Sequence, residues 1–125
     1  MEGFLVVFSS AVLDHTLNPR NTGPLEGANR FGQAGDPGGG PYALLWFEVE
    51  GQTIVRGSYE TYGCPAAVAC ASFAAEFLTG KSIGQALAMD ARDIALLLGG
   101  LPEGKGHCPA LVVEAIKRAF AEDMR

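Results

Sequence analysis

Two runs, YALLWFEV at residues 42–49 and TIVRGSYETY at residues 53–62, constrain the fold more than any other feature of the chain. Each mixes aromatic and β-branched residues over a strand-like length, and Glu50-Gly51 between them supplies a turn. An isolated hairpin is marginal in water, so its apolar face needs a cover. The segments that follow provide one. Residues 66–78 are alanine-rich with Val68, Phe73, Phe77 and Leu78 as larger anchors, and Gly80 is placed to end that helix. Ser82 is a cap for a helix over residues 83–89, and Asp90 for another over residues 91–98. A last helix over residues 109–122 starts at Pro109, where a missing N–H is harmless, and carries Val112, Val113, Ile116, Ala119 and Phe120 as apolar positions.

Strands first and helices later predict an α+β fold rather than an alternating parallel sheet. Upstream of the hairpin, residues 18–41 hold seven glycines and four prolines in 24 residues, which reads as loop broken by a short strand near residues 29–34. Before that, Ser9 or Ser10 caps about two turns of amphipathic helix in AVLDHTL, stopped at Asn18-Pro19. At 125 residues, with no repeat and no linker, the chain is expected to be one domain, residues 1–125.

Charge narrows the function classes. Nine Lys plus Arg against 14 Asp plus Glu leave a net charge of −5, without the basic stripe that phosphate neutralisation needs. Nucleic acid is therefore excluded as a partner, and a basic protein or a cation is easier to accommodate. The run GFLVVFSSAVL has no basic start and is too short to span a bilayer, so no membrane partner and a cytoplasmic location are expected. No P-loop, dinucleotide fingerprint or Ser–His–acid order is present, and no enzyme activity is expected.

Three cysteines and two histidines remain. Three thiols cannot all pair within the chain, so metal ligands or reactive thiols explain them better than a disulfide framework. Cys64 sits between Gly63 and Pro65 at a helix start, and His107-Cys108 sit between Gly106 and Pro109 at another. Helix N-termini favour the thiolate, and thiolates with imidazole suit Zn²⁺, Fe²⁺ or an iron–sulfur cluster. The competing reading is that these cysteines are ordinary core residues. It is the preferred one for Cys70, six residues from Cys64 and off its helix face. His15 is most simply a packing or capping residue. The spacing from Cys64 to His107 says nothing unless the fold joins the two corners.

SSAVLDHTLNPRNTGPL, TYGCPAAVACAS with LTGKS, and HCPALVVEAIK occur in this order. Together they resemble the signatures of the NifU/IscU-type iron–sulfur cluster assembly scaffold family over nearly the whole chain. The resemblance implies a small, mostly antiparallel three-stranded sheet packed against four to five helices, with three loops converging at one end. It implies a site of three cysteines, one histidine and one aspartate. Cys64 matches the second cysteine, and His107 and Cys108 match the histidine and the third cysteine. Gly39 stands at the first cysteine and Pro41 at the aspartate, so neither supplies a side-chain ligand. Asp36, three residues earlier in the glycine-rich loop, is the candidate replacement as an oxygen ligand.

By the same resemblance, a cysteine desulfurase and apo iron–sulfur acceptor proteins are the implied partners. A transient [2Fe–2S] cluster or Zn²⁺ is the implied cofactor, with Cys108 as persulfide acceptor and Cys64, His107 and Cys108 as ligands. The segment Leu101-Pro102-Glu103-Gly104-Lys105 matches the family's Leu-Pro-Pro-Val-Lys, which engages a specialised chaperone. Glu103-Gly104 removes its apolar anchor and argues against that contact. The alternative is a non-catalytic zinc-binding or adaptor protein that keeps the fold and has lost cluster assembly.

Overall fold

The computed structural model describes residues 22–36, 38–63, 65–99 and 107–124, with Pro65 and His107 through their backbone alone. The helix expected around AVLDHTL, His15, Cys64 and the segment 101–105 lie outside the described residues.

Three strands form the sheet: β1 (Arg30–Gly35), β2 (Tyr42–Glu50) and β3 (Thr53–Tyr62). They pair antiparallel in the order β1-β2-β3, with Gly35 opposite Tyr42 and Tyr42 opposite Tyr62. The expected hairpin is β2–β3, and the short strand inside the glycine-rich stretch is β1. Burial alternates along β2, with Ala43, Leu45, Phe47 and Val49 on the inner face, as the two-residue strand period requires.

Four helices are described: α1 (Pro65–Leu78), α2 (Ile83–Ala88), α3 (Ala91–Leu97) and α4 (His107–Ala119), followed by a 3₁₀ turn at Ala121–Met124. Ser82 and Asp90 each build a reciprocal capping box, with Gln85 and Asp93 respectively. The expected caps are therefore present, and each satisfies two N–H groups that a short helix would otherwise leave open. The last helix begins at His107, two residues before the expected Pro109. Proline lacks an N–H, but first-turn N–H groups have no partner within the helix, so the helix can start upstream of it.

α1 and α4 cover the inner face by different means. Ala66, Ala67, Ala69, Cys70, Ala71, Ala74 and Ala75 are all buried, so α1 approaches β3 closely along small residues. A Cβ at Gly57 would come within 3.1 Å of the Ala75 carbonyl oxygen. Cys70 is fully buried in this packing, as the core reading expected. α4 instead shows one apolar face, with Val112, Val113, Ala115, Ile116 and Ala119 buried and Glu114, Lys117 and Arg118 exposed. Phe120, just beyond it, packs on Phe47 at 5.1 Å between ring centroids, and both rings are fully buried. Burying each ring contributes about 1.5–3 kcal/mol.

Both sheet edges are partly occupied. On β1, Arg118 Nη1 donates to the Gln33 carbonyl at 2.9 Å. On β3, the Gly23 N–H donates to the Tyr59 carbonyl, Ile54 N–H to the Lys81 carbonyl, and Gly80 N–H to the Ile54 carbonyl.

Candidate functional site

The antiparallel register decides which corners meet. Gly35, Tyr42 and Tyr62 are cross-strand neighbours, so the β1–β2 loop and the exit of β3 leave the same end of the sheet. α1 starts from that exit, three residues after Tyr62.

α4 brings the third corner. A Cβ at Gly32 would lie 1.9 Å from the Ala115 carbonyl oxygen and 2.6 Å from the Ala119 nitrogen, so strand and helix backbones are nearly in contact there. Arg118 reaches Gln33, and Arg30 pairs with Asp123, so α4 runs antiparallel to β1. Counting along the helix, His107 lies about 12 Å before Ala115, while Gly35 lies about 10 Å beyond Gly32 along the strand. The first turn of α4 therefore arrives level with the β1–β2 loop. The β1–β2 loop, the exit of β3 and the first turn of α4 are thus directed to the same end of the sheet.

The far end of α4 is fixed by a two-pronged ion pair. Arg30 Nε and Nη2 donate to Asp123 Oδ2 and Oδ1 at 2.8 and 2.9 Å. The hydrogen bond from Arg30, ahead of the opposing cost of burial, holds the Asp123 carboxyl below its usual range. The same bond raises Arg30 above its ordinary value.

At the loop end, the Gly39 N–H donates to the Asp36 carbonyl at 2.8 Å, closing a tight turn. The Asp36 side chain folds over this turn. A Cβ at Gly39 would stand 3.0 Å from Asp36 Oδ2, so the carboxylate occupies the space into which a side chain at 39 would project. Gly35, Gly38 and Gly40 adopt φ of +79°, +91° and +134°, conformations that other residues rarely take. Gly38 and Gly40 border a recess of about 330 Å³ with Tyr62, which is 63% exposed and stacked on Tyr42 at 6.2 Å between centroids.

His107 is the first residue of α4, and Cys108 follows it with only 1% of its surface exposed, within the same core as Val112 and Ile116. Among the described residues, no three His, Cys, Asp or Glu side chains stand together as a metal site, and Cys64 and the His107 side chain lie outside that set. Nor is any described helix long and apolar enough to cross a membrane.

Sequence reasoning anticipated the corners but missed the pieces that hold them. Gly32 carried no signal beyond being one glycine among seven. The Arg30–Asp123 pair spans 93 positions and is invisible to local pattern. Tyr59 was also missed. It is buried on β3, and burial pushes its phenol above the usual value while neighbouring Ser72 acts the other way.

Comparison with known proteins adds a full-length match. The family model described as the NifU-like N terminal domain matches residues 7–123. Iron-sulfur cluster assembly scaffold protein IscU 1 of Archaeoglobus fulgidus is 38% identical over 119 residues, covering 95% of this chain and 78% of that protein. Iron-sulfur cluster assembly scaffold protein IscU of Aquifex aeolicus is 41% identical over 117 residues, covering 92% and 74%. Among solved structures, a proposed SUF-system scaffold from Fervidobacterium islandicum AW-1 shares the fold. It superposes with a TM-score of 0.70 at 19% identity, over 92% of this chain and 97% of that one.

Proposed function

Since this chain belongs to the NifU-like N-terminal domain family, and is thus a scaffold-type protein of iron–sulfur assembly, we propose that Asp36, Cys64, His107 and Cys108 form its cargo site. Scaffolds of this kind carry their cargo and are not enzymes. The observation that carries the proposal is the Asp36 carboxylate folded into the space above Gly39, at the sheet end from which β3 departs towards α1 and with which the first turn of α4 is level.

The donor set then reads two thiolates, one imidazole and one carboxylate. That set suits four-coordinate Zn²⁺ or Fe²⁺, and it is harder than the set with a third thiolate. One soft donor fewer weakens the hold on a [2Fe–2S] cluster, which favours a cargo held briefly. Cysteine desulfurase and apo iron–sulfur proteins are the partners that such a cargo requires.

Cys108 takes the sulfur in this proposal. Its thiolate attacks the terminal sulfur of a donor cysteine persulfide, a new S–S bond forms on Cys108, and the donor cysteine leaves as thiolate. The exchange involves no net oxidation. Because Cys108 is buried, the first turn of α4 must turn outward before the attack.

The test is elemental analysis after zinc loading, followed by anaerobic reconstitution with Fe²⁺, sulfide and a desulfurase. Zinc binds the native chain at one per chain, is lost in Cys64→Ala, and binds Asp36→Asn at least about tenfold more weakly. Gly39→Cys displaces the carboxylate and strengthens the cluster spectrum. Metal content indifferent to Cys64→Ala rules out the site, and absence of both cluster spectrum and Cys108 persulfide rules out the assembly role. Gly39, Pro41 and the buried Cys108 thiol favour a second reading, a zinc-holding adaptor, which binds zinc stably and never acquires a persulfide.

A further inference from the structure

The outer face of the sheet is built unlike the inner one. Strand register puts Phe31, Trp46, Leu44, Tyr42 and Tyr62 on it, and the rings pair: Tyr42 with Tyr62, and Phe31 with Trp46 at 5.4 Å between centroids. Phe31 is 47% exposed and Tyr62 more so, while Trp46, Tyr42 and Leu44 are partly exposed. The described helices pack on the inner face and on one another. Contiguous exposed aromatic surface of this kind marks an interaction site rather than ordinary surface.

The charge on this face has one sign available. Among the described residues, the strands bring one cation to it, Arg56, which is already bonded to Glu48 and to the Glu26 carbonyl. Glu60, opposite Leu44 and next but one to Tyr62 along β3, is exposed, and no described residue neutralises it. The chain as a whole carries −5.

We propose that this face docks an arginine-bearing basic segment of a partner protein, its guanidinium stacked on the Tyr62–Tyr42 pair and paired with Glu60. Arginine fits better than lysine because a planar guanidinium stacks on a ring and meets a carboxylate at once. A second copy of this chain is disfavoured, since it would set one acidic, cation-poor face against another. The inference uses none of the proposed cargo ligands and stands apart from that reading.

Trp46 is the chain's single tryptophan, so its fluorescence reports this face alone. The probe is acetylated, amidated hexa-arginine at low salt, with hexa-lysine and hexa-glutamate for comparison. Hexa-arginine shifts Trp46 emission saturably, hexa-lysine binds at least about threefold more weakly, and hexa-glutamate has no effect. Glu60→Gln, isosteric and at an exposed position, also weakens binding by about threefold with circular dichroism unchanged, and Tyr62→Ala by at least as much. The proposal is overturned by an absent shift, or by equal hexa-arginine affinity in the Glu60→Gln, Tyr62→Ala double variant. It is equally overturned if Trp46 in the uncomplexed chain resists acrylamide quenching, which means the face is already covered. Self-association in sedimentation that Tyr62→Ala abolishes assigns the face to a second copy instead.

Discussion

The two ends of the sheet are held by different means. At the β2–β3 hairpin end, side chains bridge the backbone. Asn29 Nδ2 donates to the Val49 carbonyl and Asn29 Oδ1 accepts from the Val49 N–H, at 2.9 and 2.8 Å. Arg30 grips Asp123, and Arg56 joins Glu48 to the Glu26 carbonyl. At the loop end, among the described residues, Thr61 Oγ1 donates to the Tyr42 carbonyl, Gln33 Nε2 to the Gly35 carbonyl and the Gly39 N–H to the Asp36 carbonyl, and glycine conformations shape the turn between the strands. The contrast separates anchoring from function. α4 is pinned where it ends, while its first turn, which carries His107 and Cys108, is level with a loop that two side-chain bonds among the described residues support. In the proposed role, the loop end is the one that would adjust to cargo, and the hairpin end the one that would stay fixed.

The severest break of this contrast lies between the two ends. Gly32→Val pushes α4 off β1, because the obstacle is helix backbone that cannot rotate away. It is expected to cost about 3 kcal/mol or more, read as a lower denaturant midpoint, and to remove zinc binding with it. Next comes Gly35→Ala at the loop end. A Cβ there meets the Pro41 carbonyl oxygen at 2.3 Å, and φ is +79° besides. A loss of about 2 kcal/mol is expected, and a neutral result would mean that the loop conformation is not set by glycine.

The anchored end gives a smaller, pH-dependent effect. Pairing with Arg30 lowers the folded carboxyl of Asp123, so its stabilisation is present above the unfolded value of about 3.9 and fades as pH falls below it. Asp123→Asn removes about 1 kcal/mol at pH 7, because the pair is partly exposed, and flattens the acid limb of the stability curve below about pH 4. Equal acid limbs in both proteins would show that the pair does not anchor α4. Raised Arg30 adds stability lost only far into alkali. Smallest of all is Asp36→Asn, whose carboxylate is exposed and has no hydrogen-bond partner among the described residues. Its melting point without metal should match the native chain within about 0.5 kcal/mol equivalent, so any zinc effect it shows is ligation.

Much of this was legible in the sequence where the physics is local. The β3 bounds, and β2 to within a residue, follow from residue type and flanking turns. The caps at Ser82 and Asp90 follow from a hydroxyl or carboxylate three residues ahead of a partner. β1 was harder, since RFGQAG has too few β-formers to stand out within a glycine-rich stretch. The start of α4 was read two residues late, because proline marks a first turn without saying which of its positions it holds. His107-Cys108 were legible as helix-start residues, and Cys64, outside the described residues, as a match to a known family. That Asp36 covers Gly39 was not, because the turn from 36 to 39, not residue type, aims its carboxylate.

One detail of the edges reaches beyond the fold. Arg118 occupies a carbonyl of β1, and the Gly23, Gly80 and Lys81 backbones occupy groups of β3, so another chain approaching either border meets backbone groups already in use. Edge groups used in this way obstruct growth by strand addition, the usual route to fibrous aggregation.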